Sequence, residues 1–316
     1  MDNLRKQFAV DAMKIGRFVL VLCCGAGLVG AALAAPPERA ASSRAAPRAL
    51  LAEAARADSP ELRSEAFLIV DQRSGESLLA RNADRVTPIA SITKLMTAMV
   101  VLDARQSLTE MLTVTEADRD RLRKSSSRLP IGSRLSREDL LRLALMSSEN
   151  RAASALSRYY PGGQAAFVKA MNDKARRIGM TRSRFVEGTG LSADNVATAR
   201  DLSRLLEAAA TYPLIRQFST GTAHTVALRR GAREFRNTNP LVKDPGWEIS
   251  LSKTGYIQEA GRCLVMQAWM RGRPVLVVLL DSFGSRTRTA DARRLKKWLA
   301  DQPWEALVMA RKSHAG

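Results

Sequence analysis

The folded part of this chain is bracketed by β-prone segments with helical sequence between them, and no other feature narrows its fold as much. Residues 66–71 and 76–81 flank Gln72-Arg73-Ser74-Gly75, a turn-rich link, so a hairpin is predicted. Residues 247–254, 262–270 and 274–281 are three more strand-like runs, and their links, residues 255–261 and 271–273, are short enough for antiparallel neighbours. A helix is predicted over residues 289–299. In the mostly helical middle, Ser136-x-x-Asp139 and Thr198-x-x-Asp201 have the form of capped helix starts. This order implies an α/β (α+β) fold. A five-stranded antiparallel sheet, formed by residues 66–81 and 247–281, is flanked by helices and carries an inserted all-helical lobe at about 104–210. There is no internal repeat.

The 316 residues are 46% hydrophobic, enough for a real core. Lys and Arg number 50 against 31 Asp and Glu, a net charge of +19, which favours an anionic partner. Nucleic acid is a poor candidate, because only 5% of residues are aromatic and no Cys/His finger occurs. The two histidines, His224 and His314, exclude most zinc sites and make His-dependent catalysis improbable. No metal or cofactor is expected.

Residues 1–34 read as an export signal. Arg5, Lys6, Lys14 and Arg17 precede a 16-residue apolar run, residues 18–33, that ends in Ala32-Leu33-Ala34. A cleaved secretory signal fits this length better than a spanning helix of about 20 residues, so a periplasmic location with cleavage after Ala34 is expected. Cleavage removes Cys23 and Cys24, leaves Cys263 as a buried small hydrophobe without a disulfide partner, and keeps the body basic. Residues 35–62 are rich in Ala, Arg, Pro and Ser and read as a flexible tether, with a short helix near residues 50–56. Residues 63–316 form the expected catalytic domain.

Three short motifs carry chemistry. Ser91-Ile92-Thr93-Lys94 follows Pro88 at the start of a helix that is apolar nearly all round and therefore buried. Ser91 and Lys94, three apart, share one turn, and desolvation would lower the lysine pKa toward a useful base. Taken alone, an N-capping Ser with a snorkelling Lys is the commoner origin of such a pair. Ser148-Glu149-Asn150 lies between a helix ending after Met146 and another beginning near Asn150, where a hydroxyl and an amide can relay a proton and position a substrate, or simply cap a helix. Lys253-Thr254-Gly255 ends a predicted strand; it offers a positive charge, a hydroxyl and a glycine that lets a substrate backbone lie against the strand edge. The plain alternative is an edge-strand Lys before a turn glycine.

In this order and context the three motifs resemble those of the penicillin-recognising active-site serine enzymes. Within them the chain is most similar to the low-molecular-weight penicillin-binding proteins that act as D-alanyl-D-alanine endopeptidases, the penicillin-binding protein 7 type. The resemblance runs from about residue 66 to 298 and includes residues 88–97, 146–153, 189–192, 235–242 and 251–257. It implies a β-lactamase/transpeptidase-like fold and a nucleophile, Ser91, that attacks the D-Ala carbonyl of a peptidoglycan stem peptide. Lys94 would take the hydroxyl proton, Ser148 would pass a proton to the leaving amine, and Asn150 would orient Lys94 and the substrate amide. Lys253 would favour a neutral Lys94, and which lysine is the base is disputed across the superfamily. The N–H groups of Ser91 and Tyr256, the latter following Gly255, would form the oxyanion hole, while Thr254 and Arg288 would bind the carboxylate beside the scissile bond.

The implied activity is hydrolysis of D-Ala-diaminopimelate cross-links through an acyl-enzyme, with β-lactams as covalent inhibitors. D-Ala-D-Ala carboxypeptidase activity is the alternative, and a non-catalytic wall or β-lactam binder a second one that the intact motifs argue against. The β-lactamase branch adds a deacylating Glu in Glu-x-x-Leu-Asn. Here Glu187-Gly188-Thr189-Gly190-Leu191 is one residue out of step and lacks the Asn, so antibiotic hydrolysis is not expected. The carboxypeptidase relatives also carry a C-terminal β-rich domain and an anchor, neither of which is expected here. In the tail, Trp304, Leu307, Val308 and Met309 suit helix packing on the sheet better than membrane binding. The basic excess suits carboxylate-bearing wall polymer or anionic lipid at a membrane periphery, and equally a solvated surface.

Overall fold

The computed structural model describes residues 59–304 apart from residue 230. The export signal, most of the tether with its short helix, and the tail beyond Trp304 lie outside the described residues. Eleven strands are present among them: β1 (Ser64–Asp71), β2 (Ser77–Arg81), β3 (Thr87–Pro88), β4 (Met111–Thr113), β5 (Arg134–Ser136), β6 (Val196–Ala197), β7 (Ala223–Leu228), β8 (Gly231–Arg236), β9 (Glu248–Ile257), β10 (Gly261–Met270) and β11 (Arg273–Ser282). The α-helices are α1 (Thr93–Asp103), α2 (Arg137–Met146), α3 (Asn150–Arg158), α4 (Gly163–Arg177), α5 (Ala199–Ala210), α6 (Pro213–Thr220) and α7 (Thr287–Asp301). The main sheet is antiparallel with strand order β2-β1-β11-β10-β9, so the first and last strands of the body are neighbours and β9 is an edge.

Both faces of this sheet are covered. Leu68 and Val70 of β1, with Val278 and Leu280 of β11, belong to the core shared with the helices of the lobe. Phe67, Ile69, Val277 and Leu279 face the other way, onto Leu295 and Trp298 of α7. Double coverage makes the strands read as unbroken apolar runs, the pattern that betrays them in the sequence. The first strand and the last helix of the described body are clamped together at Asp291 of α7, whose carboxylate accepts from the Ser64 N–H at 2.8 Å and the Ser64 hydroxyl at 2.6 Å. In the middle, α1 is buried all round, from Thr93 to Val101. Ser136 and Thr198 cap α2 and α5, each accepting an N–H three residues on at 3.0 Å.

Three expectations change. The β9 strand does not stop at Thr254: Gly255, Tyr256 and Ile257 pair with Cys263, Arg262 and Gly261, and the link shrinks to the 3₁₀ turn Gln258–Ala260. Gly255 was expected to turn the chain, yet pairing continues because a residue without a side chain suits the crowded backbone that β9 passes. The β7–β8 hairpin was not anticipated within the mostly helical middle. Its strands are largely exposed, with Val226 and Phe235 the apolar residues they bury, so they lack the alternation that marks a strand. The hairpin is held from outside: Arg128 stacks 5.1 Å from the Phe235 ring centre and His224 Nε2 lies 2.8 Å from Asp139.

Cys263 is buried and free, its thiol pushed up to about 11 by desolvation. Trp304 packs against the sheet and donates from Nε1 to Asp71 at 3.2 Å. Among the described residues no helix is long and apolar enough to cross a membrane.

Candidate active site

The site begins where the chain turns into α1. Ala90 has φ +48°, a left-handed conformation that costs an L-residue about 1–2 kcal/mol, and Ser91 lies in the 3₁₀ turn Ala90–Ile92 that feeds the helix. The Thr93 hydroxyl donates to the Ala90 carbonyl at 2.8 Å. No side chain caps this entry, so Ser91 is not a capping serine, and Lys94 is fully buried rather than snorkelling. Both commonplace readings of Ser-x-x-Lys are thereby set aside.

Lys94 Nζ has three neighbours: Ser91 Oγ at 2.7 Å, Asn150 Oδ1 at 2.8 Å and the Thr189 carbonyl at 2.5 Å. Two of them can only accept. A neutral amine has two N–H bonds and one lone pair, so those acceptors consume both hydrogens and leave the lone pair for the Ser91 hydroxyl. Burial favours that neutral form and lowers the Lys94 pKa to about 8, while the carboxylates of Glu187 and Glu149 hold it from falling further.

Ser148 stands between α2 and α3 with φ +57°, again left-handed. Its neighbour Glu149 does the capping, accepting from the Arg151 N–H at 3.3 Å, which releases Ser148 and Asn150 to face the lysines. Asn150 Nδ2 donates to Ser125 Oγ at 3.1 Å, which fixes its carbonyl oxygen toward Lys94. Lys253 Nζ bonds Ser148 Oγ at 2.9 Å and the Thr254 carbonyl at 2.8 Å. Its pKa is held well below the ordinary lysine value, chiefly by burial and then by the charges of Lys94 and Arg288. Repulsion between the two lysine charges is mutual, so it favours the neutral form of both, beside the burial that leads at each.

Gly255 also has a close neighbour within the protein. A Cβ there would lie 3.0 Å from the Ile89 carbonyl oxygen and 3.1 Å from the Ser91 nitrogen, so this glycine brings β9 against the chain's own backbone at the helix entry. Thr254 and Thr238 share a hydrogen bond of 2.7 Å at the cavity wall. Arg288 Nη1 reaches back from α7 to the carbonyls of Gly255 at 2.8 Å and Cys263 at 3.1 Å. Ser91, Ser148, Asn150, Thr254, Gly255, Tyr256 and Arg288 line one open cavity of about 430 Å³, and Lys94 and Lys253 lie buried behind it.

Glu187 is spent on structure. Its Oε2 accepts from the Thr189 N–H and hydroxyl at 2.5 Å each, and its Oε1 from Gly190 at 2.6 Å, Asn195 Nδ2 at 2.8 Å and Ser192 at 3.4 Å. Five donors saturate a carboxylate with about four lone-pair directions, so it has no capacity left to activate water. What it does is hold the loop whose Thr189 carbonyl touches Lys94. Sequence reasoning passed over the supporting residues Thr238, Ser125 and Asn195. Thr238 lies inside a segment already singled out by resemblance; the other two stand in loops with no motif to mark them.

The family model described as D-alanyl-D-alanine carboxypeptidase matches residues 53–284. A D-alanyl-D-alanine endopeptidase of Pseudomonas aeruginosa is 52% identical over 256 residues, covering 80% of this chain and 83% of that protein. One of Escherichia coli K12 is 49% identical over 250 residues, covering 78% and 81%. Among solved structures, the Streptomyces K15 DD-transpeptidase superposes with a TM-score of 0.71 at 26% identity, covering 77% of this chain and 99% of that one. Cefotaxime-bound penicillin-binding protein D2 of Listeria monocytogenes does so at 0.68 with 30% identity, covering 77% and 99%. The fold and the serine-lysine site are those of an active-site serine peptidase of the penicillin-binding class. The chain belongs to the D-alanyl-D-alanine carboxypeptidase family of peptidases.

Proposed function

We propose that the protein is a peptidoglycan DD-endopeptidase that cuts D-Ala-diaminopimelate cross-links through a Ser91 acyl-enzyme. The observation that carries this reading is the valence of Lys94: with two acceptor-only partners, its neutral form presents a lone pair to Ser91 Oγ at 2.7 Å. In the first half-reaction Ser91 Oγ attacks the D-Ala carbonyl carbon and its proton passes to Lys94 Nζ. The resulting oxyanion is met by the N–H groups of Ser91 and Tyr256, donors of a kind worth about 3–4 kcal/mol each. Collapse breaks the C–N bond, and Ser148, bonded to Lys253, delivers a proton to the departing amine. Water then adds to the ester carbon, its proton replacing the one Ser148 gave up, and the C–O bond breaks as the proton held by Lys94 returns to Ser91.

Thr254 and Arg288 bind the carboxylate on the leaving side, which both a terminal D-Ala and the D-centre of diaminopimelate carry. The preference for the cross-link rests on the two endopeptidase relatives. Penicillin acylates Ser91 because its lactam imitates the D-Ala-D-Ala amide, in keeping with the cefotaxime-bound relative. Glu187, fully hydrogen bonded, offers the adduct no added base of the β-lactamase kind for its hydrolysis. Export to the periplasm, where the wall polymer lies, completes the reading. The test is intact-mass analysis after incubation with penicillin. One adduct is expected on the wild-type protein and none on a folded Ser91→Ala variant; an adduct that survives the substitution would refute the nucleophile.

A further inference from the structure

Beside the reactive groups, the cavity carries an ion pair that the reaction as described does not use. Arg123 comes from the loop between β4 and β5, and Glu259 from the 3₁₀ turn between β9 and β10; Arg123 Nη2 lies 2.8 Å from Glu259 Oε2. Arg123 and Gln258, the residue before Glu259, line the same cavity as Ser91. Arg123 is fixed before any ligand arrives. Its Nε donates to the Leu191 carbonyl at 2.5 Å, and its N–H donates at 2.9 Å to Asp120, whose carboxylate also gathers the N–H groups of Leu122 and Ser125.

We propose that Arg123 and Glu259 form a recognition site for a zwitterionic α-amino-acid head group on the third residue of the stem peptide, the free end of diaminopimelate. Arg123 takes its carboxylate and Glu259 its ammonium. This rests on the stem-peptide reading above and adds the side chain that is read. The side chains are 24% and 47% exposed, and an ion pair this open contributes little to stability, so a ligand bringing both charges exchanges one pair for two. Arg123 Nη1 has no protein partner among the described residues, which leaves the guanidinium donors for a forked contact with a carboxylate. Leu191 and the exposed Tyr256 line the same cavity and offer apolar surface to the methylene arm that carries the head group. A lysine at that position would bring the ammonium alone and leave Arg123 unmatched, so the pair discriminates between the two stems.

The test uses the full chain and tetrapeptides that a DD-peptidase does not cut, L-Ala-γ-D-Glu-X-D-Ala, with X meso-diaminopimelate, its carboxamide or L-lysine. Calorimetry is expected to show the diaminopimelate peptide binding about tenfold or more tighter than the other two. In Arg123→Ala and in Glu259→Gln the three affinities are expected to converge to within about twofold, while penicillin acylates Ser91 at the wild-type rate. Equal affinities in the wild type, a preference kept in both variants, or acylation lost along with binding would each overturn the site, the last by showing that the pair merely holds the cleft together. Cleavage of a cross-linked dimer is read separately. Failure there with the affinity pattern intact would count against the endopeptidase reading and leave the head-group site standing.

Discussion

Gly190 lies so close to Ala90 that a Cβ on it would fall 2.0 Å from the Ala90 carbonyl oxygen. The same glycine has φ +80°, and its N–H is bonded to Glu187. Two left-handed residues, Ala90 and Gly190, are thus stacked backbone to backbone behind the serine. Gly190→Ala is therefore expected to lower stability by about 3 kcal/mol or more and to abolish penicillin acylation. At Gly255, where the nearest atoms stand at 3.0–3.1 Å, alanine is expected to cost roughly 1–2 kcal/mol and to slow acylation. Denaturant unfolding with acylation rates checks both, and wild-type stability in Gly190→Ala would contradict the packing described.

The rate of Ser91 acylation should follow the neutral fraction of Lys94. With a pKa of about 8, acylation is expected to rise as pH climbs through that value, since deprotonation exposes the lone pair. Removing the Glu187 charge takes away an interaction that raises this pKa. In Glu187→Gln the rise is expected at lower pH, with a reduced plateau because the loop loses acceptors. Stopped-flow acylation between pH 6 and 10 measures it, and a shift to higher pH would contradict the assignment.

Lys94→Ala is expected to abolish acylation and to stay folded within about 2 kcal/mol of wild type at pH 7, because no buried charge is left unpaired. The linkage has a definite sign. Lys94 titrates near 8 in the folded protein and near 10.5 unfolded, so the unfolded state binds more protons in between and wild-type stability rises with pH across that window. Relative to Lys94→Ala, the wild type should gain roughly 3 kcal/mol from one end of the window to the other. Unfolding free energies of the two proteins at pH 7.5 and 10.5 provide the comparison; parallel curves would mean that Lys94 is not desolvated.

Arg288 contacts the carbonyls of paired residues Gly255 and Cys263 while lining the cavity. Arg288→Ala is expected to weaken transition-state binding by roughly 2–3 kcal/mol for cross-linked and uncross-linked substrates alike. Arg288→Lys should recover little, because one ammonium lacks the guanidinium fork needed to brace the strand and clasp a carboxylate together. Steady-state kcat/KM on both substrates decides; full recovery with lysine would reduce the site to a point charge.

Much of this was legible in the sequence for identifiable reasons. The sheet strands are buried on both faces and read as apolar runs, and α1 is apolar all round because it is buried all round. Ser136 and Thr198 announced their helices by capping them. The hairpin at β7 and β8 stayed hidden because it is exposed and held by single contacts such as Arg128 on Phe235. Within the site, Ser91, Lys94, Ser148, Asn150, Lys253 and Thr254 lie in three short motifs that only together carry the resemblance. The resemblance also took in residues 189–192, yet nothing in it marked the Thr189 carbonyl, which approaches Lys94 across 95 positions, since a carbonyl carries no residue signature. The close approach at Gly190 escaped for the same reason: its neighbour is backbone.

The most direct test of the central claim is a competition between two bonds. Purified protein is incubated with a cross-linked muropeptide dimer and with an uncross-linked pentapeptide, and products are identified by mass over time. The dimer is expected to split into monomers faster than terminal D-Ala is released, and Ser91→Ala is expected to do neither. Pentapeptide trimming that clearly outpaces dimer cleavage, or dimer cleavage that persists in Ser91→Ala, would contradict a Ser91-dependent DD-endopeptidase.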